Sequence, residues 1–116
     1  FILSSQVYTN ARDLARFGML YEQGGVWEGE RLLSEEWIEF TRTPAPATAA
    51  TGNQYGGQWW LVPDNRTDVP HDAYSTAGNR GQYVVVVPSH LSHHQASCLS
   101  LFASFGSTVG FGEICV

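Results

Sequence analysis

The chain has 116 residues, 43% apolar and 15% charged, with six Phe, five Tyr, four Trp and twelve Gly, a size and composition that allow one globular domain. Eleven acids against six bases leave a net charge of -5, and the bases are scattered arginines at 12, 16, 31, 42, 66 and 80, so a nucleic-acid-binding stripe is excluded and any mechanism needing a lysine is incomplete within this sequence. No apolar run approaches the ~20 residues of a membrane helix, and the chain opens at Phe1 with neither a Met nor a signal-like leader. A soluble segment cut from a longer protein is expected.

In chain order, Leu14, Phe17, Gly18 and Tyr21 fall at helical spacing, predicting a helix over 9–23 with Thr9 as N-cap and Gly24-Gly25 as its stop. Arg12 and Arg16, four apart with Asp13 between them, read as its solvated face. Residues 26–33 form a short extended arm that turns at Glu28-Gly29-Glu30, with Trp27 and Leu32 as its buried contacts. Ser34 then caps a second helix with Glu35 and Glu36 in its first turn, where the helix dipole favours acids, and with Trp37, Ile38 and Phe40 available to a core.

Residues 43–53 lack periodicity and read as an exposed loop of the kind that rims a site. Residues 55–62, with Gly56-Gly57 and Trp59-Trp60, predict a strand ended by Pro63, and 64–72 is polar turn material. The unbroken valines of 84–87 predict a strand buried on both faces and stopped by Pro88. The four tryptophans read as core and rim packing rather than a sugar-stacking platform.

After residue 90 the composition changes, and a single charged residue, Glu113, remains. This tail shows no repeat and no clean helical or strand period. His90, His93, His94 and Cys98 are zinc-ligand types, but their spacing matches no metal motif, so no metal or cofactor is expected. Cys98 and Cys115 can pair or stay free, and they do not fix a redox compartment.

Several blocks, in this order, resemble one family. They are residues 9–18 (Thr-Asn-Ala-Arg-Asp-Leu-Ala-Arg-Phe-Gly), Gly24-Gly25-Val26-Trp27, Glu35-Glu36-Trp37, residues 55–61 (Tyr-Gly-Gly-Gln-Trp-Trp-Leu), Gly78-Asn79-Arg80-Gly81-Gln82-Tyr83, and the valines running to Pro88. The family is the β-lactamase-related serine hydrolases, which includes class C β-lactamases, related esterases and nylon-oligomer hydrolases. The similarity covers about residues 6–90. It implies an α+β fold of the penicillin-binding type, an antiparallel sheet covered by helices, of which residues 1–90 are the C-terminal part.

It also implies hydrolysis of an ester, amide or β-lactam-like bond through an acyl-serine intermediate, with the nucleophile carried by an upstream Ser-x-x-Lys pair. The segment alone is then inactive, and its partners are a small-molecule substrate and the missing N-terminal part of the domain. The family's third motif, Lys/His-Thr/Ser-Gly on an edge strand, falls on Thr76-Ala77-Gly78, where only Gly78 matches. That departure favours esters or amides without an acid group. By the resemblance Asn79 donates its backbone N–H to the oxyanion, Gly78 and Gly81 allow close approach of substrate, and Gln82 and Trp60 line the pocket. Without the flanking blocks, 78–83 reads as a plain glycine-rich hairpin. The rival from another class is a non-catalytic binding or structural module, with the tryptophans and the 43–53 loop forming its surface.

Family members continue past the valine strand with an Asp-Leu-Val-Ile-Ile-Arg-like strand, where this chain has Leu91-Ser92-His93-His94-Gln95. Written as CAT CAT CAG and read one base later, His93-His94-Gln95 becomes Ile-Ile followed by Arg or Ser. The same shift turns Thr108-Val109-Gly110-Phe111, written ACG GTG GGA TTC, into Arg-Trp-Asp-Ser, like the family's terminal helix. Residues 91–116 are therefore expected to be a frameshifted tail that adds no normal strand to the sheet.

Overall fold

The computed structural model describes residues 7–49, 52, 54–78, 82–91, 98–101 and 112–115. Helix α1 spans Ala11–Glu22. Its cap is Asn10, one residue after the expected Thr9. Asn10 Oδ1 accepts the Asp13 N–H at 3.0 Å while Asn10 Nδ2 donates to the Asp13 carboxylate at 2.8 Å. Residues 10 and 13 thus satisfy each other in the first turn, and Thr9 has no such partner among the described residues. The helix stops at Gly24-Gly25 as the sequence predicts. Gly24 N–H donates to the Tyr21 carbonyl and Gly25 N–H to that of Leu20, with Gly24 at φ +64°, the paired bonds of a glycine-terminated helix.

Strands β1 (Val26–Trp27) and β2 (Glu30–Arg31) make a two-residue hairpin with Trp27 opposite Glu30. Glu28 and Gly29 both take positive φ, as the tight primed turns require. Arg31 ties this arm down, donating to the carbonyls of Gly24 and Leu33 and to the Glu35 carboxylate at 2.9 Å. Leu32, expected inside, is 53% exposed, because the pair ends before it and its side chain leaves the sheet.

Helix α2 spans Glu35–Arg42 and is capped by Ser34, whose Oγ accepts the Trp37 N–H at 3.1 Å. Of its three expected core residues only Ile38 is buried; Trp37 is half exposed and Phe40 is 59% exposed. The helix turns Ile38 and Thr41 inward, and the buried Thr41 hydroxyl donates to the Ile38 carbonyl at 2.7 Å. Helix α1 is rotated in a similar way. Ala15, Gly18, Met19 and Tyr21 are buried, whereas Phe17 is on the rim. The expected aperiodic loop contains a single helical turn, α3 (Pro46–Ala49), tied back by the Ala45 N–H to the Tyr55 carbonyl at 2.8 Å.

The central sheet has order β3-β4-β5 and is antiparallel throughout: β3 is Trp60–Leu61, β4 is Tyr74–Gly78 and β5 is Gln82–Val86. The strand predicted over 55–62 shrinks to two residues. Before them the chain makes a tight turn in which Tyr55 bridges to Trp60 and the Gly56 N–H donates to the Trp59 carbonyl at 2.8 Å. The reason is contact with α2. A Cβ on Gly56 would sit inside the Thr41 carbonyl, and one on Gly57 would come within 2.9 Å of the Phe40 ring. Those glycines serve close approach, and the turn replaces the strand.

Strand β5 begins two residues before the valines and buries Val84 and Val86 fully, with Val85 and Val87 half buried, so burial on both faces is partial. The core gathers Tyr21, Ile38, Trp59, Tyr74, Val84 and Val86. Trp59 is its hub, stacked on Phe17 at 5.8 Å and edge-on to Tyr74 at 4.9 Å, while the Trp37 indole N–H donates to the Tyr21 hydroxyl at 3.3 Å. Residues 64–72 form the expected turns. Their last residue, Asp72, accepts from the Ser89 N–H and hydroxyl, anchoring the short α4 (Pro88–Leu91).

Beyond it, β6 (Cys98–Leu101) and β7 (Gly112–Cys115) pair antiparallel, with Cys98 opposite Cys115. These strands were absent from the sequence reading. They form their own two-stranded sheet, and β6 runs alongside β5 and α1 without joining the β3-β4-β5 ladder. The fold is α+β, with helices beside antiparallel sheets. Among the described residues no helix is long and apolar enough to cross a membrane.

Candidate functional site

The site is built where β4 ends. From Tyr74 the strand runs through Thr76 and Ala77 to Gly78, each opposite a β5 residue: Thr76 faces Val84, Ala77 faces Tyr83 and Gly78 faces Gln82. The Thr76 hydroxyl oxygen accepts the Val84 N–H at 3.2 Å, so the side chain at the third pair from the end is held across the strands. At the last pair the backbones pinch together: a Cβ on Gly78 would lie 3.1 Å from the Gln82 Cβ. Glycine suits this position because it is crowded, and it leaves the strand end open to whatever approaches.

This strand end forms one wall of a cavity of about 550 Å³. Thr76, Ala77, Gly78 and Gln82 all line it, and Trp60 faces them from β3. Five of the seven residues singled out from the sequence are therefore brought together. The other two, Asn79 and Gly81, lie outside the described residues, as does Arg80 beside them. The expected rim loop takes no part through its described residues. None of the described residues of 43–53 lines this cavity, since the α3 turn is tied back toward Tyr55.

Adjacent tryptophans divide the labour. Trp59 is 1% exposed and locks the core, while Trp60, the first residue of β3, is 44% exposed and reaches the cavity. The sequence reading missed Tyr55, Gln58 and Tyr83, which also line it. Tyr55 packs edge-on to Trp60 with ring centres 4.7 Å apart, and its hydroxyl donates to Gln58 Oε1 at 3.4 Å. The signal that could have found them is their place in the same two blocks as Trp60 and Gln82.

Behind the wall, the other end of β4 holds Tyr74 in the core. Its hydroxyl is buried with no hydrogen-bond partner among the described residues, and burial pushes its pKa up to about 12. The Arg42 guanidinium stands 5.2 Å from the ring centre and opposes that shift. This phenol stays protonated at neutral pH and is no base. Of the zinc-type residues, His93 and His94 lie outside the described residues, and His90 and Cys98 are placed by backbone alone. Among the described residues no three His, Cys, Asp or Glu side chains converge on a common point.

No family model matches the chain. A 72-residue stretch is 33% identical to a 6-aminohexanoate-dimer hydrolase of Paenarthrobacter ureafaciens, taking in 54% of this chain and 18% of that protein. The chain thus spans under a fifth of the length of this curated relative. At the level of a distant relative, the similarity is to a hydrolase.

Proposed function

We propose that the chain is one wall of a serine-hydrolase site, the C-terminal part of a domain of the β-lactamase-related type. The observation that carries this reading is the convergence of Thr76, Ala77, Gly78, Gln82 and Trp60 on one cavity at the end of β4. The distant likeness to a hydrolase of an aminohexanoate dimer points the same way. In this reading a serine outside the segment, activated by a lysine three residues on, attacks the carbonyl carbon of an ester, amide or β-lactam-like bond. The leaving group departs, and water then releases the acyl-serine.

The segment's contribution is electrostatic. Asn79, the residue after the crowded Gly78, offers its backbone N–H to the oxygen that gains negative charge in the tetrahedral intermediate. An amide serves here whatever the side chain, because only strand geometry aims it. Gly78 and Gly81 permit close backbone approach to the substrate, and Gln82 and Trp60 bound it. Residues 91–116 are read as an out-of-frame tail that plays no part in this chemistry.

The test uses a longer protein carrying this segment. Asn79→Pro, which removes the N–H, should lower kcat about 100- to 1000-fold, the ~3–4 kcal/mol of one oxyanion donor, while Asn79→Ala changes it little. Equal damage from alanine would move the role to the side chain. Saturable binding with no turnover and no serine adduct would favour the rival binding module, which the same aromatic-lined cavity also supports.

A further inference from the structure

Gln58 stands out in the turn beside the cavity. It is an exposed residue held at φ +71°, a backbone region that suits glycine and disfavours residues with a Cβ. The two glycines just before it are committed to the approach on α2, so the turn places its left-handed residue on a long polar side chain. The Gln58 N–H donates to the Gly56 carbonyl at 2.9 Å and closes the turn, a backbone bond that any residue makes, but the side chain itself does little to offset the strain. Gln58 buries little, and its contact with the Tyr55 hydroxyl, at 3.4 Å, is long. What the arrangement does achieve is to set a carboxamide at the cavity, with its oxygen turned to Tyr55 and its two N–H groups without an acceptor among the described residues.

The surroundings specify the acceptor. The described side chains around the cavity include tyrosine and tryptophan rings, aliphatic groups and the neutral polar groups of Thr9, Gln58, Thr76 and Gln82, with no acid or base among them. Thr76 Oγ1 already accepts from β5, so the two glutamines are the long polar side chains at hand. A carboxylate or ammonium brought here loses water without gaining an opposite charge, whereas an amide or ester carbonyl is matched by carboxamide donors. The Tyr55–Trp60 pair offers a ring face and edge to an apolar substituent beside it.

We propose that Gln58 is a specificity-determining residue that, with Gln82, reads an uncharged amide or ester carbonyl, while Tyr55 and Trp60 hold the adjoining apolar or aryl group. This rests on the hydrolase reading only for calling the ligand a substrate, since the recognition itself requires no catalysis.

The full 116-residue chain is titrated with three probes of similar size, N-benzylacetamide, 3-phenylpropanoate and 3-phenylpropylammonium, following tryptophan fluorescence. The neutral probe should bind with a Kd of about 1 mM, the scale for a ligand of some ten heavy atoms, and about ten-fold tighter than either ion. Gln58→Gly should weaken it about ten-fold while Tm holds or rises, because glycine carries the positive φ without strain. Gln58→Asn, which tolerates that φ with a shorter reach, should also bind more weakly.

Tighter binding of the anion, as contact with Arg80 would produce, overturns the proposal. So does an absence of binding by any probe, or a Gln58→Gly chain that binds unchanged or melts lower. Failure of the hydrolase reading would appear separately, as a longer protein with no acyl-serine adduct, and leaves this result standing.

Discussion

The β4–β5 and β6–β7 pairs differ in what supports them. The β4–β5 pair runs over five residue pairs, has β3 as a third strand, and sends Tyr74, Val84 and Val86 into the core with Trp59. The β6–β7 pair has four residue pairs and, among the described residues, no third strand. An isolated two-stranded hairpin is marginal in water, whereas a third strand and a packed face make a sheet independently stable. Pairing of backbones is thus the weaker half of a sheet's stability, and the shared core is the stronger. The candidate site sits on the supported hairpin, where strand ends are held to a fixed register.

The largest test of that contrast removes the hub. Trp59→Ala should cost about 3–5 kcal/mol, as truncating a buried aromatic does, which is comparable to a small domain's whole stability. Urea denaturation followed by circular dichroism should lose its cooperative transition. A variant that keeps a sharp transition would mean that Phe17, Tyr21 and Tyr74 close over the gap, and that the core does not depend on its centre.

How much of this could be read from the amino acids follows the range of the interactions. The Gly24-Gly25 stop, the Ser34 cap and the valine strand are local chemistry, so residues within one turn of each decide them. The opposite fates of Trp59 and Trp60 are not local. They depend on which of the two side chains meets Phe17 and Tyr21 of α1, and nothing between positions 55 and 62 says so. Likewise Gly56-Gly57 resembles flexibility in the sequence and proves to be close packing against Phe40 and Thr41, a contact across about fifteen residues. In the tail, Leu99-Ser100-Leu101 does alternate, but three residues are too short a run to identify a strand. Of the candidate site, the strand-end residues and Trp60 were legible through the family blocks, whereas Gln58 was not, since its role rests on a backbone angle.

A second test addresses the tail. If residues after 90 are read out of frame, the valine strand has no strand paired on its second edge among the described residues, and Val85 and Val87 are left half buried. Three chains are compared by thermal melting: the present one, one ending at Leu91, and one with the frame restored. Truncation should change Tm little. Restoration should stabilise by about 2 kcal/mol, the value of ~100 Å² of newly covered apolar surface. A truncated chain that melts far below the present one would show that β6 and β7 support the fold as they stand.

A smaller effect lies inside the supported hairpin. The Tyr74 hydroxyl is a polar group buried without a partner among the described residues, and such a group costs about 1–3 kcal/mol. Tyr74→Phe keeps the ring against Trp59 and beneath Arg42 while removing the oxygen, so urea denaturation should show a gain of about 1 kcal/mol. A loss instead would reveal a bound water or a neighbouring chain segment at that oxygen, and the core end of β4 would then be a polar site.

The smallest effect is one of pH. Glu22 closes α1, and partial burial raises its pKa above the ordinary 4.5. An acid whose folded pKa is raised binds its proton more tightly in the folded chain than in the unfolded one, so stability falls as pH climbs through that interval. Below 4.5 both states are protonated and the penalty vanishes, while above the folded pKa it is complete. The negative end of the helix dipole adds to the cost, and only the ionised form feels it. Glu22→Gln should therefore raise Tm at pH 7 and lose that advantage on acidification to pH 4. Because the group is only partly buried, solvent screening limits the gain to about 0.3 kcal/mol, or ~1–2 °C in a domain of this size. A gain that is the same at both pH values would come from side-chain packing or helix propensity, and the carboxylate at the end of α1 would carry no electrostatic cost.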